Sequence, residues 1–261
     1  MIRDVHQAKL AAFLAGLALM YAVESLWPVR PWESPRWKRL GSHVLLSVIN
    51  TVLMRFTVAA PLLLFVQYAR DRGWGLGPHF GFGGPIWAIA TIFSFDLYDY
   101  WWHRINHEWS FFWRFHRVHH MDTHVDVTTS LRFHYGEFAL SGAAKALWAF
   151  LWGPSVAMFA LCEALISLTN QFHHSNIDLP DPVEKILQWI TMTPRRHTAH
   201  HTVTLRSRNA NYATIIAIWD KLFGTWEEPD PAELKSLGLD FADERAHYLG
   251  LKTILLGPMR T

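Results

Sequence analysis

Four long apolar stretches, separated by segments dense in His, Arg and Asp, constrain the fold of this chain more than any other feature. They lie near residues 10–27, 43–69, 85–102 and 138–172. A membrane span takes roughly 20 apolar residues. Inside lipid the backbone must satisfy its own N–H and C=O groups, which leaves helices as the solution for runs of this kind. The expected fold is therefore all-α: a multi-pass membrane helical bundle of about four spans with a cytosolic, histidine-rich helical cap. Average composition conceals the pattern. Hydrophobic residues make up 51% and mean hydropathy is only +0.06, close to a soluble protein. Segregation carries the signal, not amount.

Each stretch has its own punctuation. Arg3 and Lys9 precede the first, as in a signal peptide, but no small-x-small site closes it and Trp27-Pro28 follows directly. It reads as an uncleaved span. Arg55 and Pro61 interrupt the second; an arginine at mid-depth must face protein, find a partner or reach back to the interface. The third leads straight into histidines. The fourth contains Gly153-Pro154, a turn signal, and reads as a helical hairpin that returns to its starting side. Arg30, Arg36, Lys38 and Arg39 between the first two spans favour the cytoplasm. Alternation then places residues 70–84 outside and 103 onward inside, and the hairpin returns Arg195, Arg196, Arg206 and Arg208 to the inside. A single domain over 1–261 is expected, its cap built from 103–135 and 173–226.

Several functions are excluded. A net charge of +2 and a pI near 8.7, with no basic stripe, do not describe a nucleic-acid binder. The one cysteine, Cys162, allows no internal disulfide and lies in an apolar run, as a buried bystander would. Gly73-Trp-Gly-Leu-Gly follows no strand and opens no nucleotide fold. No Ser-His-Asp or Cys-His arrangement competes for the chemistry.

The histidines are clustered. His103-x3-His107 is one pair; His116-x2-His119-His120 and His197-x2-His200-His201 are two similar triplets. Residues three and four apart share a helix face, so each group presents several imidazoles together. Neutral imidazole is the commonest protein metal ligand, and packing so many without metal would bring desolvation and mutual repulsion. Eight ligands exceed what one ion takes, so two ions are implied. Imidazole suits iron, zinc, copper and nickel alike. His173-His174 offers further ligands, and His134 is either one more or a residue that holds Glu137 or a backbone group. His6, His43, His79, His124 and His247 read as bystanders. Asp99, one turn before His103, is a candidate to accept a ligand's second N–H; capping or pairing with an arginine is its other reading.

These motifs resemble the fatty acid hydroxylase and sterol desaturase superfamily of membrane di-iron enzymes. The resemblance covers about residues 96–226. It rests on the three histidine groups, on Asp126-Val-Thr-Thr-Ser-Leu-Arg-Phe-His134, Phe172-His-His-Ser-Asn-Ile177, Asn211-Tyr212 and Ile218-Trp-Asp-Lys-Leu-Phe-Gly-Thr225. It implies a four-helix membrane region under a cytosolic cap holding two iron ions. It also implies O2 as co-substrate and hydroxylation, desaturation or ether-bond oxidation of a lipid. An additional ligand is implied near His173-His174, with His174 fitting the commoner pattern. No heme-binding segment lies outside the spans, so electrons are expected from an external donor of the cytochrome b5, ferredoxin or reductase kind.

A lipid would enter from the bilayer into an apolar slot, with Trp101, Trp102, Phe111 and Phe112 as candidate walls or interface anchors. Two rivals remain at this point. A zinc-dependent membrane lipid hydrolase would use three protein ligands and an open position, fewer than are offered here. A non-enzymatic heme protein carrying electrons needs histidines facing one another within the spans.

Overall fold

The computed structural model describes residues 2–32, 35–240 and 249–259. Among these the protein is all-helical, and its one β-contact is an isolated bridge between Thr202 and Leu237. The long helices are α1 (Ile2–Leu26), α2 (Arg36–Met54), α3 (Ala60–Asp71), α5 (Gly84–Glu108), α7 (Tyr135–Trp152) and α8 (Val156–His174), with the short α4 (Leu76–Phe80) before α5. The cap adds α6 (Ser110–His120), α9 (Asp181–Leu187), α10 (Pro194–His200), α11 (Leu205–Arg208) and α12 (Ile218–Leu222); α13 (Leu251–Leu256) follows.

Pro61 does not break the second stretch. A π-turn over Arg55–Ala59 joins α2 to α3, and Ala60 donates to the Arg55 carbonyl five residues back. The wider turn absorbs the register that a proline, lacking an N–H, disturbs. Arg55 itself faces outward rather than into the bundle. The fourth stretch is a hairpin, as expected: α7 ends at Gly153 with φ of 74°, and Ser155 caps α8 by accepting from the Met158 amide. A side chain at 153 would collide with the Trp74 carbonyl, so the turn requires glycine.

Hydrogen bonds along the helices show their directions. Lys9 pairs with Glu163, Gln171 donates to the Phe13 carbonyl, and the Asn176 amide donates to Glu24, so α1 and α8 run together toward the histidines. Trp152 donates to Thr91 and Trp148 to Ser94, so α5 runs opposite to α7. Tyr135 with Thr57 and Arg70 with the Gly153 carbonyl align α3 with α7. Leu62, Val66, Phe95, Trp148, Phe159 and the buried Cys162 fill the space between them.

Two stretches, Gln7–Leu26 and Arg36–Phe80, are long and apolar enough to cross a membrane by length and composition. The other long helices carry Asp96 and Asp99, Glu137 and Lys145, and Glu163, Asn170 and Gln171, which lower their mean hydropathy. Yet large apolar side chains point outward on all of them, including Leu14, Phe56, Leu64, Ile86, Leu147 and Leu161. That surface is far more apolar than a water-facing one needs to be.

Candidate metal centre

Nine imidazoles converge where the cap meets the bundle. His103 and His107 of α5, His116 and His120 of α6, and His200 of α10 form one group; His119 of α6, His174 at the end of α8, and His197 and His201 of α10 form the other. Within each group the ligand nitrogens lie within 4.8 Å of one another. Helix geometry explains the division. At about 100° per residue, the first and last histidines of H-x2-H-H differ by about 40°, while its two adjacent members diverge by about 100°. Each triplet therefore sends its outer pair to one group and its inner histidine to the other. The groups abut, with the His120 and His201 rings stacked at 4.3 Å.

Second nitrogens fix the ring orientations. His103 donates Nδ1–H to the Tyr212 carbonyl (2.7 Å), His200 to that of Ala210 (2.7 Å), His174 to that of Asn170 (2.7 Å) and His119 to that of Arg132 (3.2 Å). His116 donates to Glu137 at 2.9 Å. In a neutral imidazole the remaining Nε2 then carries only a lone pair. Yet Nε2 of His119 lies 3.0 Å from Nε2 of His174, and Nε2 of His200 lies 3.1 Å from Nε2 of His103. No proton is available to bridge these pairs. Both nitrogens of His107 and of His120, and Nε2 of His116, are buried without a hydrogen-bond partner. Lone pairs gathered in this way fit cations: two nitrogens bound to one ion at about 2.1 Å sit roughly 3.0–3.4 Å apart. Burial, reinforced by the neighbouring imidazoles, holds His107, His119, His120, His197, His200 and His201 well below the ordinary histidine pKa. The rings are thus neutral at pH 7 and able to coordinate.

Carboxylates set the backbone that receives these N–H groups. Asp220 accepts from the Tyr212 and Ala213 amides, and Asp96 from the Ile215 and Ile216 amides and the Trp219 indole. Asn211, with φ of 57°, turns the chain into this loop. Beneath α6, the buried Arg39 donates to Asp122 and Asp126 at 2.8 Å each, and Asp126 caps the 3-10 turn Val127–Leu131. Burial would raise the Asp122 carboxyl, but Arg39 beside it holds it well below the usual carboxylate range.

The structure corrects some expectations and decides others that stood open between two readings. Asp99 does not meet a histidine: it accepts from Thr214 (2.8 Å), because the His103 N–H already goes to Tyr212. Glu137, which no spacing singled out, has that kind of contact instead, with His116. His134 stands outside both groups; its Nδ1 accepts from the Gly136 amide and caps α7. Of His173 and His174, only His174 reaches a group, while His173 bonds the Asn170 side chain at 2.9 Å. Arg39, one of the basic residues expected in the loop between the first two spans, lies in α2 as a buried ion-pair partner. Trp101 and Phe111 lie on the outer surface. Among the bystanders, His43 bonds Thr128 and His79 meets Phe80 edge to face; His247 and the His6 side chain lie outside the described residues.

Comparison with known proteins places the same segment of the chain in a family. The family model for fatty acid hydroxylase matches residues 88–225. An ornithine lipid hydroxylase of Rhizobium tropici is 29% identical over 87% of this chain and 69% of its own length. Human alkylglycerol monooxygenase is 34% identical over 55% of this chain, which spans only 31% of that protein. Human lathosterol oxidase is 25% identical over 69% of this chain and 58% of its own length. No solved structure matches.

Proposed function

The chain belongs to the fatty acid hydroxylase family, and from that premise we propose that it oxidises a lipid C–H bond with O2 at a pair of iron ions, by hydroxylation or desaturation. The observation that carries this reading is the two abutting groups of imidazoles whose Nε2 lone pairs face one another. His103, His107, His116, His120 and His200 would hold one ion, and His119, His174, His197 and His201 the other. Reduction of O2 and cleavage of the C–H bond are the chemistry that two bound irons supply.

The protein's own part is to hold and to exclude. Carbonyls of Tyr212, Ala210, Asn170 and Arg132 fix the tautomers, so each ring presents Nε2 without a search through orientations. Glu137 accepts the His116 N–H and makes that ring a better donor to metal. Phe133 stacks on His119 at 4.4 Å and keeps water from that side. Every one of these nine histidines except the half-buried His103 is buried, which suits a site that must protect a reactive oxidant. Electrons would come from an external donor, a cytochrome b5-like protein, a ferredoxin or a reductase.

In the same reading the chain is one multi-pass membrane domain with spans near 10–27, 43–69, 85–102 and 138–172, and with the cap on the cytoplasmic face. The outward-facing apolar side chains support it. So does the hairpin, which returns both histidine-bearing regions to one end. Metal analysis with an optical spectrum tests the centre: two irons per chain without a heme Soret band are expected. Lipid profiling of cells expressing the wild type or His119→Ala tests the activity, the product being lost in the variant. Two zinc ions with O2-independent lipid turnover would overturn the proposal.

A further inference from the structure

Part of the cap reaches down the side of the bundle. Trp219 of α12 donates its indole N–H to Asp96 at 2.8 Å and meets the Phe93 ring edge to face at 6.4 Å. Those two residues stand seven and ten positions before His103 on α5, which at 1.5 Å per residue is about 10–15 Å from the first histidine. The Ile190 carbonyl, just past α9, accepts from the Ala217 amide that precedes α12, so the end of α9 lies at the same level. There the Trp189 and Trp226 rings stack at 5.9 Å, and the Lys221 ammonium lies over both.

The outer side of this edge is apolar. Val183, Ile186 and Ile190 recur at three- and four-residue spacing along α9 and the turn after it, and Ile218 and Leu222 stand one turn apart on α12. All five are exposed, Ile186 by 67% and Leu222 by 65%. The same surface continues onto α5, where Ile89 and Phe93 also point outward. Charge keeps to other directions: Glu184 turns inward and accepts from Thr193, while Lys185 is exposed on the flank. An apolar face bordered by tryptophan and lysine is what a helix lying in the plane of a membrane interface presents. Depth decides what covers it, because residues 93–96 belong to the stretch of α5 read as a span, and side chains packed beside them at that level meet lipid. We propose that α9 and α12 lie in the membrane interface. Ile186, Ile190, Ile218 and Leu222 enter the acyl-chain boundary of the leaflet nearer the histidines, and Lys185 and Lys221 reach back to its head groups. The inference rests on the reading of α5 as a span. It moves α9 and α12 from an aqueous cap into the leaflet, and it sets the histidines about 10–15 Å outward of residues that touch acyl chains, close to the head groups.

The test places single cysteines in the full chain in a Cys162→Ala background, labels them with a nitrobenzoxadiazole fluorophore, and reconstitutes the protein into vesicles of phosphatidylcholine and phosphatidylglycerol. Ile186→Cys and Leu222→Cys report on the edge, Leu64→Cys on the outward face of α3, and Lys235→Cys on the exposed cap; all four side chains are exposed, so the substitutions leave the fold in place. A lipid carrying a nitroxide high on its acyl chain is expected to quench the probes at 186 and 222 at least threefold more than the probe at 235, with aqueous iodide giving the opposite order. A lipid with its nitroxide deeper on the chain should quench the probe at 64. Iodide quenching at 186 and 222 equal to that at 235 would overturn the inference, because those faces would then meet water. So would protection from iodide without quenching by either lipid, the result expected of a second copy of the chain seated on this surface. A probe at 64 that neither lipid quenches would remove the span reading as well, which separates that failure from one confined to α9 and α12.

Discussion

His116 and Glu137 show how a single contact, absent from any spacing rule, bears on the whole centre. With its Nδ1–H given to a carboxylate 2.9 Å away, His116 is held in one orientation with Nε2 free to face the other rings. Removing such a partner typically lowers metal affinity about 10–100-fold. Glu137→Ala is expected to lose iron on dialysis at a chelator concentration the wild type withstands, and Glu137→Gln, which still accepts a hydrogen bond, to lose less. Equal retention by all three would show the contact to be incidental. Asp220 acts one step further out. Burial raises its carboxyl to about 6, above an unfolded value of about 3.9. A group shifted upward holds its proton more tightly when folded, so its contribution is full below the unfolded value and is lost as pH rises through about 6. Between pH 4 and pH 7 it should withdraw on the order of 3 kcal/mol, and Asp220→Asn should flatten that part of the stability profile relative to wild type in chemical denaturation. At this scale the histidines were legible in the sequence because their spacing repeats. The carbonyls of Ala210, Tyr212, Arg132 and Asn170 were not, since every residue carries one. Asp99 misled because it has the right chemistry one turn too low, where Thr214 takes it.

At the scale of elements, the α7–α8 hairpin was readable from Gly153-Pro154 alone, because a left-handed glycine followed by proline ends a helix whatever surrounds it. The junction of α2 and α3 was not. Pro61 predicts interruption, and only the packing of the π-turn against Gly142 of α7 shows why one helix continues into the next. The split of each histidine triplet between two groups was equally hidden. Sharing a face at i, i+3 and i+4 is a statement about one helix, whereas the division depends on what packs on either side of it. Gly153 offers a clean test of the hairpin. A side chain there adopts an unfavourable φ of 74° and strikes the Trp74 carbonyl. Gly153→Ala is therefore expected to lower stability by roughly 1–3 kcal/mol. Thermal unfolding in detergent would measure it, with iron content of the folded fraction unchanged because the turn lies at the end of the bundle away from the histidines.

For the whole molecule, the question is how the cap is locked to the bundle and which way it faces. Arg30 in the α1–α2 connection and Arg39 in the first turn of α2 grip the Val125 carbonyl, Asp122 and Asp126, and so tie the first helical pair to the segment after α6. Breaking one partner of a buried pair typically costs about 3–5 kcal/mol, so Arg39→Met should loosen the cap and reduce iron retention even though it touches no histidine. Orientation is the second half of the question, and the proposed cytoplasmic face of the cap rests on the Lys and Arg residues of the segments on that side of the bundle, among them Lys38, Arg39, Arg195 and Arg206. A direct measurement is available because the lone native thiol, Cys162, is buried. In a Cys162→Ala background, Lys235→Cys places a thiol on the exposed surface of the cap, and Arg72→Cys places one on the exposed connection at the opposite end of the bundle. A membrane-impermeant maleimide applied to intact cells should label the second and spare the first, and both should react once the cells are opened. Labelling of Lys235→Cys in intact cells would put the histidines on the outer face, where no cytoplasmic reductase reaches them, and the source of electrons would have to be sought elsewhere.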